Sequence, residues 1–379
     1  MNMTIQVPPA ADENVETFYA ASQWQLMWSA FKKHRMAMVG SFVLLFIYLI
    51  TVAFSDLLSP YSIEGVHADY PYAPPQLIRF IDAEGRFHLR PFVYGWLVEE
   101  DPVTWEDIFV KDTEALYPIK LGVRGEQVKI WGTFKTDWHL FGVEEPGVMF
   151  LFGTDQLGRD LFTRTLHAGR ISLSIGFIGV AISFVLGNLL GGISGFYGGP
   201  VDNIIQRIIE FFISIPTIPL WMALAAALPP EWPTIRVYLG ITIILSFLGW
   251  TGLARVVRGK LLELREEDFV MAAKLVGETD LGIIRRHLLP SFLSYLIVSL
   301  TLSVPGMILG ETALSFLGLG LRPPVVSWGV LLSTAQSFQT VALYPWLFIP
   351  AGFVIAVVLS FNFMGDGLRD AADPYSHGR

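Results

Sequence analysis

The sequence predicts an all-α membrane protein that crosses the bilayer six times, with a β-rich external domain between the first and second spans. Three observations predict this class. Of the 379 residues, 53% are hydrophobic and only 16% are charged, whereas soluble domains carry about 25% charged residues. The hydrophobic residues gather in runs of about 20, which is the length a helix needs to cross a bilayer. A polar, acidic stretch at 58–152 contains alternating segments that are typical of strands.

The composition also excludes several classes of function. The chain has no cysteine, so it has no disulfide framework, no thiolate metal site and no cysteine nucleophile. Its formal net charge of −8 argues against nucleic-acid binding. We expect no cleavable signal peptide, because the polar and acidic N-terminal residues lack a basic region.

The first span is predicted at 36–57, after an N-terminal segment of 1–35. Trp24, Trp28 and Phe31 recur at helical spacing and favour an interfacial helix over a plain soluble one. The span is preceded by the bases Lys32, Lys33, His34 and Arg35. Basic residues concentrate on the cytoplasmic side of spans, so the N-terminus is predicted to be cytoplasmic.

Five further spans are predicted at 171–196, 204–228, 237–253, 292–317 and 341–364, which leaves both termini in the cytoplasm. The predicted divisions are therefore the segment 1–35, the span 36–57, an external domain at 58–152, a membrane-spanning core at 153–370 and a cytoplasmic tail at 371–379. Pro216 and Pro219 fall inside the third span, where neighbouring helices can satisfy the freed backbone groups.

The stretch 58–152 is predicted to lie outside, because its acids outnumber its bases. Residues 127–136 alternate in the manner of a strand, and the many aromatic residues of this stretch need burial. Three basic residues precede the second span on its predicted external side: Arg159, Arg164 and Arg170. They are exceptions to the rule that bases concentrate on the cytoplasmic side. They could pair with Asp155 and Asp160 or meet acids on a partner protein.

The stretch between the fourth and fifth spans is rich in bases and is predicted to be cytoplasmic. Within it, 266–289 predicts two short helices that are separated at Gly277. Asp280 is expected to cap the second helix, which runs to His287, and Pro290 is expected to begin the fifth span. Such a bent pair suits a groove on a partner protein. An ordinary amphipathic loop helix on the membrane surface fits the residues equally well.

The motifs of nucleotide and metal chemistry are missing. The nearest approach to a phosphate-binding loop is Gly259-Lys260, which is followed by Leu261 and has Ala254 at the position of the first glycine. The seven histidines form no metal-ligand pair. We therefore predict no catalytic residue, no metal ligand and no cofactor, and a conduit whose energy source lies in another chain.

A few single residues invite a specific role. Glu311 lies inside the fifth span, where a carboxylate is costly unless it is paired or hydrated. It is either a pathway residue or a structural partner of an arginine or a backbone group. Arg207 and Glu210 are expected to form a local pair, and Trp328 is expected to be an anchor at the membrane interface rather than a gate.

The cytoplasmic bend resembles the EAA motif of permease subunits in binding-protein-dependent ABC importers. The residues that carry the resemblance are Met271, Ala272, Ala273, Gly277, Ile284, His287 and Pro290. In the family this motif couples the permease to its ATPase, so the resemblance implies an ATPase-coupling role for these seven residues. The sequence departs from the motif at Met271, where the family has glutamate.

Other segments resemble the C-type permease of the oligopeptide/dipeptide branch in the same order along the chain. They are 31–40, 153–174, 311–320 with the Pro-Pro and Ser-Trp-Gly residues that follow, and 362–370. The resemblance covers about 20–56 and 150–375, and it implies the type I ABC importer (MetI-like) permease fold. The external stretch is longer than usual and only loosely resembles the microcin-C and oligopeptide-type members.

The resemblance implies a non-catalytic subunit of a bacterial inner-membrane importer that forms half of a pathway for peptides, including di- and oligopeptides and microcin-C-like peptides. Its implied partners are a homologous B-type permease, two ABC ATPase subunits, an extracytoplasmic binding protein and membrane lipid. Oligosaccharides or nickel are alternative substrates. The alternative classes are an ATP-independent channel or secondary transporter, and a membrane-anchored assembly or receptor protein. We further hypothesise that the external domain docks the binding protein.

Overall fold

The computed structural model describes residues 23–100, 102, 105, 107–130, 132–229 and 231–372. Most of the predicted N-terminal segment 1–35 and nearly all of the predicted tail 371–379 therefore lie outside the described residues. In chain order the helices are α1 (Gln23–Lys33), α2 (Arg35–Tyr48), α3 (Ser55–Leu58), α4 (Leu161–Tyr197), α5 (Gly199–Ser214), α6 (Thr217–Ala226), α7 (Thr234–Leu264), α8 (Asp268–Leu275), α9 (Asp280–Ile283), α10 (Leu289–Ser291), α11 (Leu293–Phe316), α12 (Trp328–Ser333), α13 (Phe338–Leu343) and α14 (Ile349–Ala372).

Five helical segments in the described part of the chain are long and apolar enough to cross a membrane. They are Arg35–Ala53, Leu161–Tyr197, Thr234–Leu264, Leu293–Phe316 and Pro345–Ala372. The first consists of α2 and a π-helical turn at Leu49–Ala53, and the last begins with a 3₁₀ turn at Pro345–Phe348. This arrangement agrees with the predicted polytopic membrane protein.

The predicted third span, 204–228, is not one continuous helix. It is divided into α5 and α6, whose axes differ by 86°. Ile215 between them has φ −92° and ψ 129°, which is extended backbone. The cause is Pro216, which lacks an N–H and disfavours the helical conformation of the residue before it. The predicted number of six spans is reached only if this bent pair is counted as one.

Several predicted helix ends are wrong by more than two residues. The second span was predicted from 171, but α4 begins at Leu161, because the Asp160 carboxylate accepts a hydrogen bond from the Thr163 N–H at 2.8 Å and caps the helix. The sixth was predicted at 341–364, but α13 is a separate short helix and α14 continues to Ala372. The fourth, α7, extends eleven residues past the predicted end at Leu253.

The described residues between α3 and α4 form five strands, in agreement with the alternating pattern. A three-stranded antiparallel sheet consists of β1 (Arg79–Ile81), β2 (Phe87–Glu100) and β3 (Asp107–Pro118), and a separate hairpin consists of β4 (Lys120–Ile130) and β5 (Phe134–Gly142). The predicted single strand at 127–136 is instead the tip of this hairpin, which turns at Gly132 with φ +71°.

Glycines allow α4 and α7 to pack backbone against backbone. Gly187, Gly191 and Gly195 lie four residues apart and therefore share one face of α4. A Cβ at Gly195 would lie 2.7 Å from the carbonyl oxygen of Arg258, and a Cβ at either of the others would overlap Leu253 or Ala254. Small residues at this spacing are typical of close helix pairs in membranes. The pair forms the centre of the helical core, on which the sites described next are built.

Candidate functional site

The loop between α7 and α11 folds as two short helices that meet at a bend. α8 ends at Leu275, and Gly277 has φ +82°, in the left-handed region that favours glycine. α9 begins at Asp280, so the predicted break at Gly277 is present. The predicted cap is wrong by one residue, because Thr279 rather than Asp280 accepts the hydrogen bond from the Gly282 N–H, at 3.2 Å.

The second half of the loop is less regular than predicted. α9 ends at Ile283 and continues as a π-helical turn to Leu288. Pro290 lies in the short helix α10, and the fifth span begins only at Leu293. Pro290 therefore precedes the span instead of starting it.

The inner side of the bent pair is anchored to the membrane helices. Val270, Ile283 and Leu288 are fully buried and pack with Val257 and Leu261, which belong to the last turns of α7. The same cluster contains Phe292 and Leu296, at the beginning of α11. Two spans therefore hold the loop, and a force on the loop acts on both.

The outer side of the bent pair is apolar and exposed. We call this surface the knob face, and it consists of Phe269, Met271, Leu275, Val276 and Leu281. Leu275 and Val276 are 87% and 88% exposed, although Leu275 ends a helix whose other side is buried. Several large apolar side chains exposed on one short loop are typical of a protein interaction site.

The Glu278 carboxylate binds two side chains in the second part of the loop. Glu278 Oε2 lies 2.7 Å from His287 Nε2, and Glu278 Oε1 accepts a hydrogen bond from Arg286 Nη1 at 3.2 Å. The hydrogen bond from His287, together with the charge of Arg286, lowers the pKa of the Glu278 carboxyl. These contacts join the residue after Gly277 to the π-helical turn and hold the second part of the loop together.

A second polar cluster lies inside the helical core, around Glu311 of α11. Its carboxylate is fully buried and accepts hydrogen bonds from three hydroxyls: Ser172 of α4 at 3.0 Å, Ser315 at 2.8 Å and Ser327 at 2.7 Å. Within the described residues no lysine or arginine forms an ion pair with Glu311. An arginine or a backbone group was the expected structural partner of Glu311, and the partners are serines.

Trp328 is part of the same cluster, and its predicted position at the membrane interface is wrong. Its side chain is fully buried. Its backbone N–H donates to Ser172 Oγ and its indole N–H donates to the Thr165 carbonyl, both at 3.1 Å. The segment after α11 therefore folds back into the core, and both polar groups of the tryptophan are satisfied by α4.

A third cluster joins the ends of α4, α5 and α7. Arg258 donates to both oxygens of Asp202, with distances of 2.5 and 2.6 Å, and Ser194 donates to the same carboxylate at 2.5 Å. Gln206 donates to Ser194 at 3.1 Å. A bidentate guanidinium–carboxylate pair is geometrically specific, so it fixes α5 relative to α7.

The three arginines that ran against the charge rule are paired within the chain. Arg159 binds Asp155 at 2.8 Å, and Arg164 lies 3.8 Å from the same carboxylate. Arg170 binds Asp56 at 3.1 Å instead of either predicted acid. The predicted Arg207–Glu210 pair is present at 2.6 Å, with both side chains largely exposed.

Two family models and several known transport proteins match this chain. A family described as "Binding-protein-dependent transport system inner membrane component" matches residues 187–375, and "N-terminal TM domain of oligopeptide transport permease C" matches 22–75. The dipeptide transport system permease protein DppC of Bacillus subtilis is 42% identical over 231 residues, which is 60% of this chain and 70% of that protein. The oligopeptide transport system permease protein OppC of Haemophilus influenzae is 43% identical over 63% of this chain and 75% of that protein.

The chain belongs to the inner-membrane components of binding-protein-dependent transport systems. OppC of Bacillus subtilis is 39% identical over 59% of this chain and 71% of that protein. Among solved structures, an inward-facing MetNI methionine ABC transporter is 21% identical, with a TM-score of 0.41 over 53% of this chain and 93% of that chain. The resemblance to a C-type permease is confirmed, and the chain is a multi-pass membrane transport component rather than an enzyme.

The seven residues predicted to couple this chain to an ATPase differ in how exposed they are. Those on the surface are Met271, Ala272, Gly277 and Pro290. Ala273 and Ile284 are buried in the cluster with α7, and half-buried His287 binds Glu278. The structure thus brings all seven into one loop, four at its surface and three in the contacts that hold it.

Sequence reasoning missed three residues of this inner-membrane component. Glu278 was passed over, although it follows the bend glycine directly. Ser194 was passed over because it lies alone in an apolar segment, and Asp202 because it lies just before the predicted third span. Their partners are on other helices, and no spacing in the sequence links Asp202 to Arg258, which follows 56 residues later.

Proposed function

We propose that this chain is the peptide-translocating permease subunit of an ATP-driven importer and forms half of the pathway through the inner membrane. Its relatives are named dipeptide and oligopeptide transport permeases. The family description, which ties transport to a binding protein, supports an extracytoplasmic binding protein as the source of substrate. A homologous B-type permease completes the pathway, and two ABC ATPase subunits supply the energy.

In this proposal both termini lie in the cytoplasm and the strands between α3 and α4 lie outside. The support is the distribution of charge. Bases precede α2 and fill the loop after α7, whereas acids predominate between α3 and α4. The proposal keeps the division into an external part at 58–152 and a permease core at 153–370.

The knob face is the proposed contact with an ATPase subunit. The observation that carries this role is the contrast between the two sides of one loop. Its inner side is locked to α7 and α11 by buried side chains, and its outer side offers exposed Leu275 and Val276. Movement of an ATPase groove around the knob face would tilt both helices as rigid bodies, which is how two-state domain movements are produced.

Glu311 has a structural role in this proposal, not one in the pathway. A pathway residue must be reachable by substrate, and the carboxylate is fully buried among three hydroxyl donors. Those hydroxyls belong to α4, to α11 and to the segment that begins α12. Glu311 therefore ties three parts of the core together.

Reconstitution with the partner subunits tests the proposal. Proteoliposomes that contain the chain, its B-type partner and the ATPases should import peptide only with ATP and the binding protein. Leu275→Asp together with Val276→Asp should lower uptake at least tenfold, because each charge would enter an apolar contact. Leu121→Asp is the matched control, since Leu121 is an equally exposed leucine, at 83%, on β4.

The outcomes separate the competing functions. Gly277→Pro should also abolish uptake, because proline fixes φ near −65° and cannot adopt the +82° of the bend. Uptake that the knob-face variants leave unchanged would refute the coupling role. Full uptake by the chain without any ATPase would instead identify a channel or a secondary transporter.

A further inference from the structure

A cavity of about 510 Å³, which we call the outer cavity, opens where three parts of the helical core meet. Its walls are the end of α6 with the turn that follows, the first turn of α7 and the segment after α11. The loop with the knob face follows the other end of α7 and precedes the other end of α11. A helix rises about 1.5 Å per residue, so the 31 residues of α7 span about 45 Å between the two. In the proposed orientation the outer cavity is therefore at the external mouth of the core.

Most of the wall of the outer cavity is apolar. Leu228 and Trp232 cover Gly240 of α7, since a Cβ at Gly240 would lie 3.2 Å from Leu228 and 3.5 Å from Trp232. Pro323 and Pro324 add apolar surface from the segment after α11. Ligand sites are typically cavities of about 300–1,000 Å³ with apolar walls and a few placed polar groups. The outer cavity has the size and the lining of such a site.

Of the described residues that line the outer cavity, Arg322 alone carries a charge. Its Nε donates a hydrogen bond to the Gly318 carbonyl at 2.9 Å, which fixes the direction of the side chain. Within the described part of the chain no carboxylate forms an ion pair with Arg322, and this includes Glu231 in the adjoining turn. Its Nη1 and Nη2 groups can therefore bind an anion that comes from outside the chain.

The segment that carries Arg322 is held firmly against α11. The Leu321 N–H donates to Ser315 Oγ at 3.0 Å, and Ser315 in turn donates to Glu311 at 2.8 Å. Leu321 is 1% exposed and Val325 is 9% exposed, so Arg322 lies between two buried residues. A guanidinium that is positioned before its ligand arrives loses less conformational entropy on binding.

We infer that the outer cavity binds the C-terminal residue of a peptide, with its carboxylate on Arg322 and its side chain against Leu228 and Trp232. The inference rests on the proposed function, because it takes peptides as the cargo. Nη1 and Nη2 of an arginine match the two oxygens of a carboxylate through parallel hydrogen bonds. The last Cα of a peptide bears both the carboxylate and a side chain, so the two enter together a site with one cation beside apolar walls. The outer cavity thus favours peptides that have a free C-terminus and an apolar last residue.

Peptide binding by the full-length chain in nanodiscs of neutral lipid tests the inference. Saturation-transfer NMR titrations give the Kd of alanyl-alanyl-phenylalanine and of its C-terminal amide. The free acid should bind about tenfold or more tightly than the amide, because hydrogen bonds to a charged group have an effect of that size. Arg322→Gln should remove this difference. Arg236→Gln is the matched control and should keep it, since Arg236 is an exposed arginine of α7 outside the lining of the cavity.

A second variant tests the apolar wall and does not depend on the folding of Arg322→Gln. Ala226 lines the outer cavity and is exposed. In Ala226→Phe the larger ring should fill part of the cavity and weaken the binding of both peptides. Unchanged binding of both would contradict the assigned position of the peptide side chain.

Three results would overturn the inference: equal affinities for acid and amide in the natural chain, no saturable binding of either, or an undiminished preference in Arg322→Gln. Nanodiscs that contain phosphatidylglycerol should show the same preference. Its loss there would mean that a lipid phosphate occupies Arg322, which would also overturn the assignment. The titrations need no ATPase, so the two proposals can fail separately. ATP-driven uptake without the preference for the acid refutes the outer cavity alone, and the preference without ATP-driven uptake refutes the proposed function alone.

Discussion

Glu278 Oε2 and His287 Nε2 lie 2.7 Å apart, one before and one after the short helix α9. They are nine residues apart in sequence, and both follow the bend at Gly277 in the loop whose outer surface is the knob face. The contact therefore acts as a strap around α9 that holds the π-helical turn at Ile284–Leu288 to the residue after the bend.

Removing this strap should loosen the loop without unfolding the protein. In Glu278→Gln, amide protection at 285–288 should fall about two- to fivefold, because a partly exposed charge pair contributes at most about 1 kcal/mol. Hydrogen exchange measures the change. Glu263→Gln is the control, since it removes a surface pair with Lys260 of similar length, 2.9 Å, on α7. Equal loss of protection at 285–288 in both variants would contradict the assigned role.

Replacing Glu311 should affect stability more than any exposed acid does. Glu311→Ala leaves the hydroxyls of Ser172, Ser315 and Ser327 without their acceptor. Buried hydrogen bonds to a charged group contribute about 1.5–3 kcal/mol each, so we expect a loss of several kcal/mol in the free energy of unfolding. Thermal unfolding in detergent measures it. Glu311→Gln should cost less, because its amide oxygen can still accept from the hydroxyls.

The same pair of variants distinguishes a structural role from a pathway role. If Glu311 contacted substrate, Glu311→Ala would abolish peptide uptake and leave the unfolding temperature unchanged. A structural role predicts that both fall together and that Glu311→Gln retains part of each. The comparison needs no knowledge of the substrate beyond one transported peptide.

The hydrophobic runs identified the membrane helices because burial in lipid requires apolar side chains wherever a helix faces it. They could not show where α4 begins, since its first turns contain Thr163, Arg164 and Thr165, which are buried by contacts with distant parts of the chain. Pro216 signalled an interruption, but the 86° angle depends on how α6 packs. Local sequence determined the existence of each element, and tertiary contacts determined its ends.

The functional residues could be predicted where local sequence determines them, and could not where tertiary contacts do. The bend at Gly277 was predictable, because a left-handed residue after a short helix favours glycine. Trp328 was not, since a tryptophan at the end of a span is usually interfacial and only the folded core brings Thr165 to its indole N–H. The serines around Glu311 lie 139, 4 and 16 residues away in sequence, so two of the three could not be paired with it from a helical pattern.

A side chain on the glycine face of α4 should separate α4 from α7. In Gly191→Leu the new side chain would overlap the backbone of Ala254, and the helices would have to move apart. Overpacking of this kind costs about 1–3 kcal/mol or more, which should lower the unfolding temperature by several degrees. Gly259→Leu on α7 is the matched control, because a Cβ there has open space around it. A normal unfolding temperature in Gly191→Leu would refute the close packing.

The turn that precedes β2 should open in acid. It should do so at a lower pH than is expected for a turn held by an aspartate of ordinary pKa. Asp82 accepts hydrogen bonds from His88 and from the Arg86 side chain and backbone N–H. The hydrogen bond from His88, followed by those from Arg86, lowers the pKa of Asp82 from 3.8 to about 2. A carboxyl whose pKa is lower in the folded than in the unfolded protein stabilises the folded state at pH values above the unfolded pKa. This stabilisation is lost as the pH falls through the folded pKa.

Protection of the Arg86 amide should therefore be constant above about pH 4 and decline toward pH 2, with a midpoint near the lowered pKa. Asp82→Asn should abolish the acid transition, because an amide does not titrate in this range. Glu84→Gln is the control, since Glu84 also binds Arg86 but does not contact His88. It should keep the transition with its midpoint nearly unchanged. A midpoint at 3.8 in the natural chain would mean that the contacts of Asp82 do not favour its charged form.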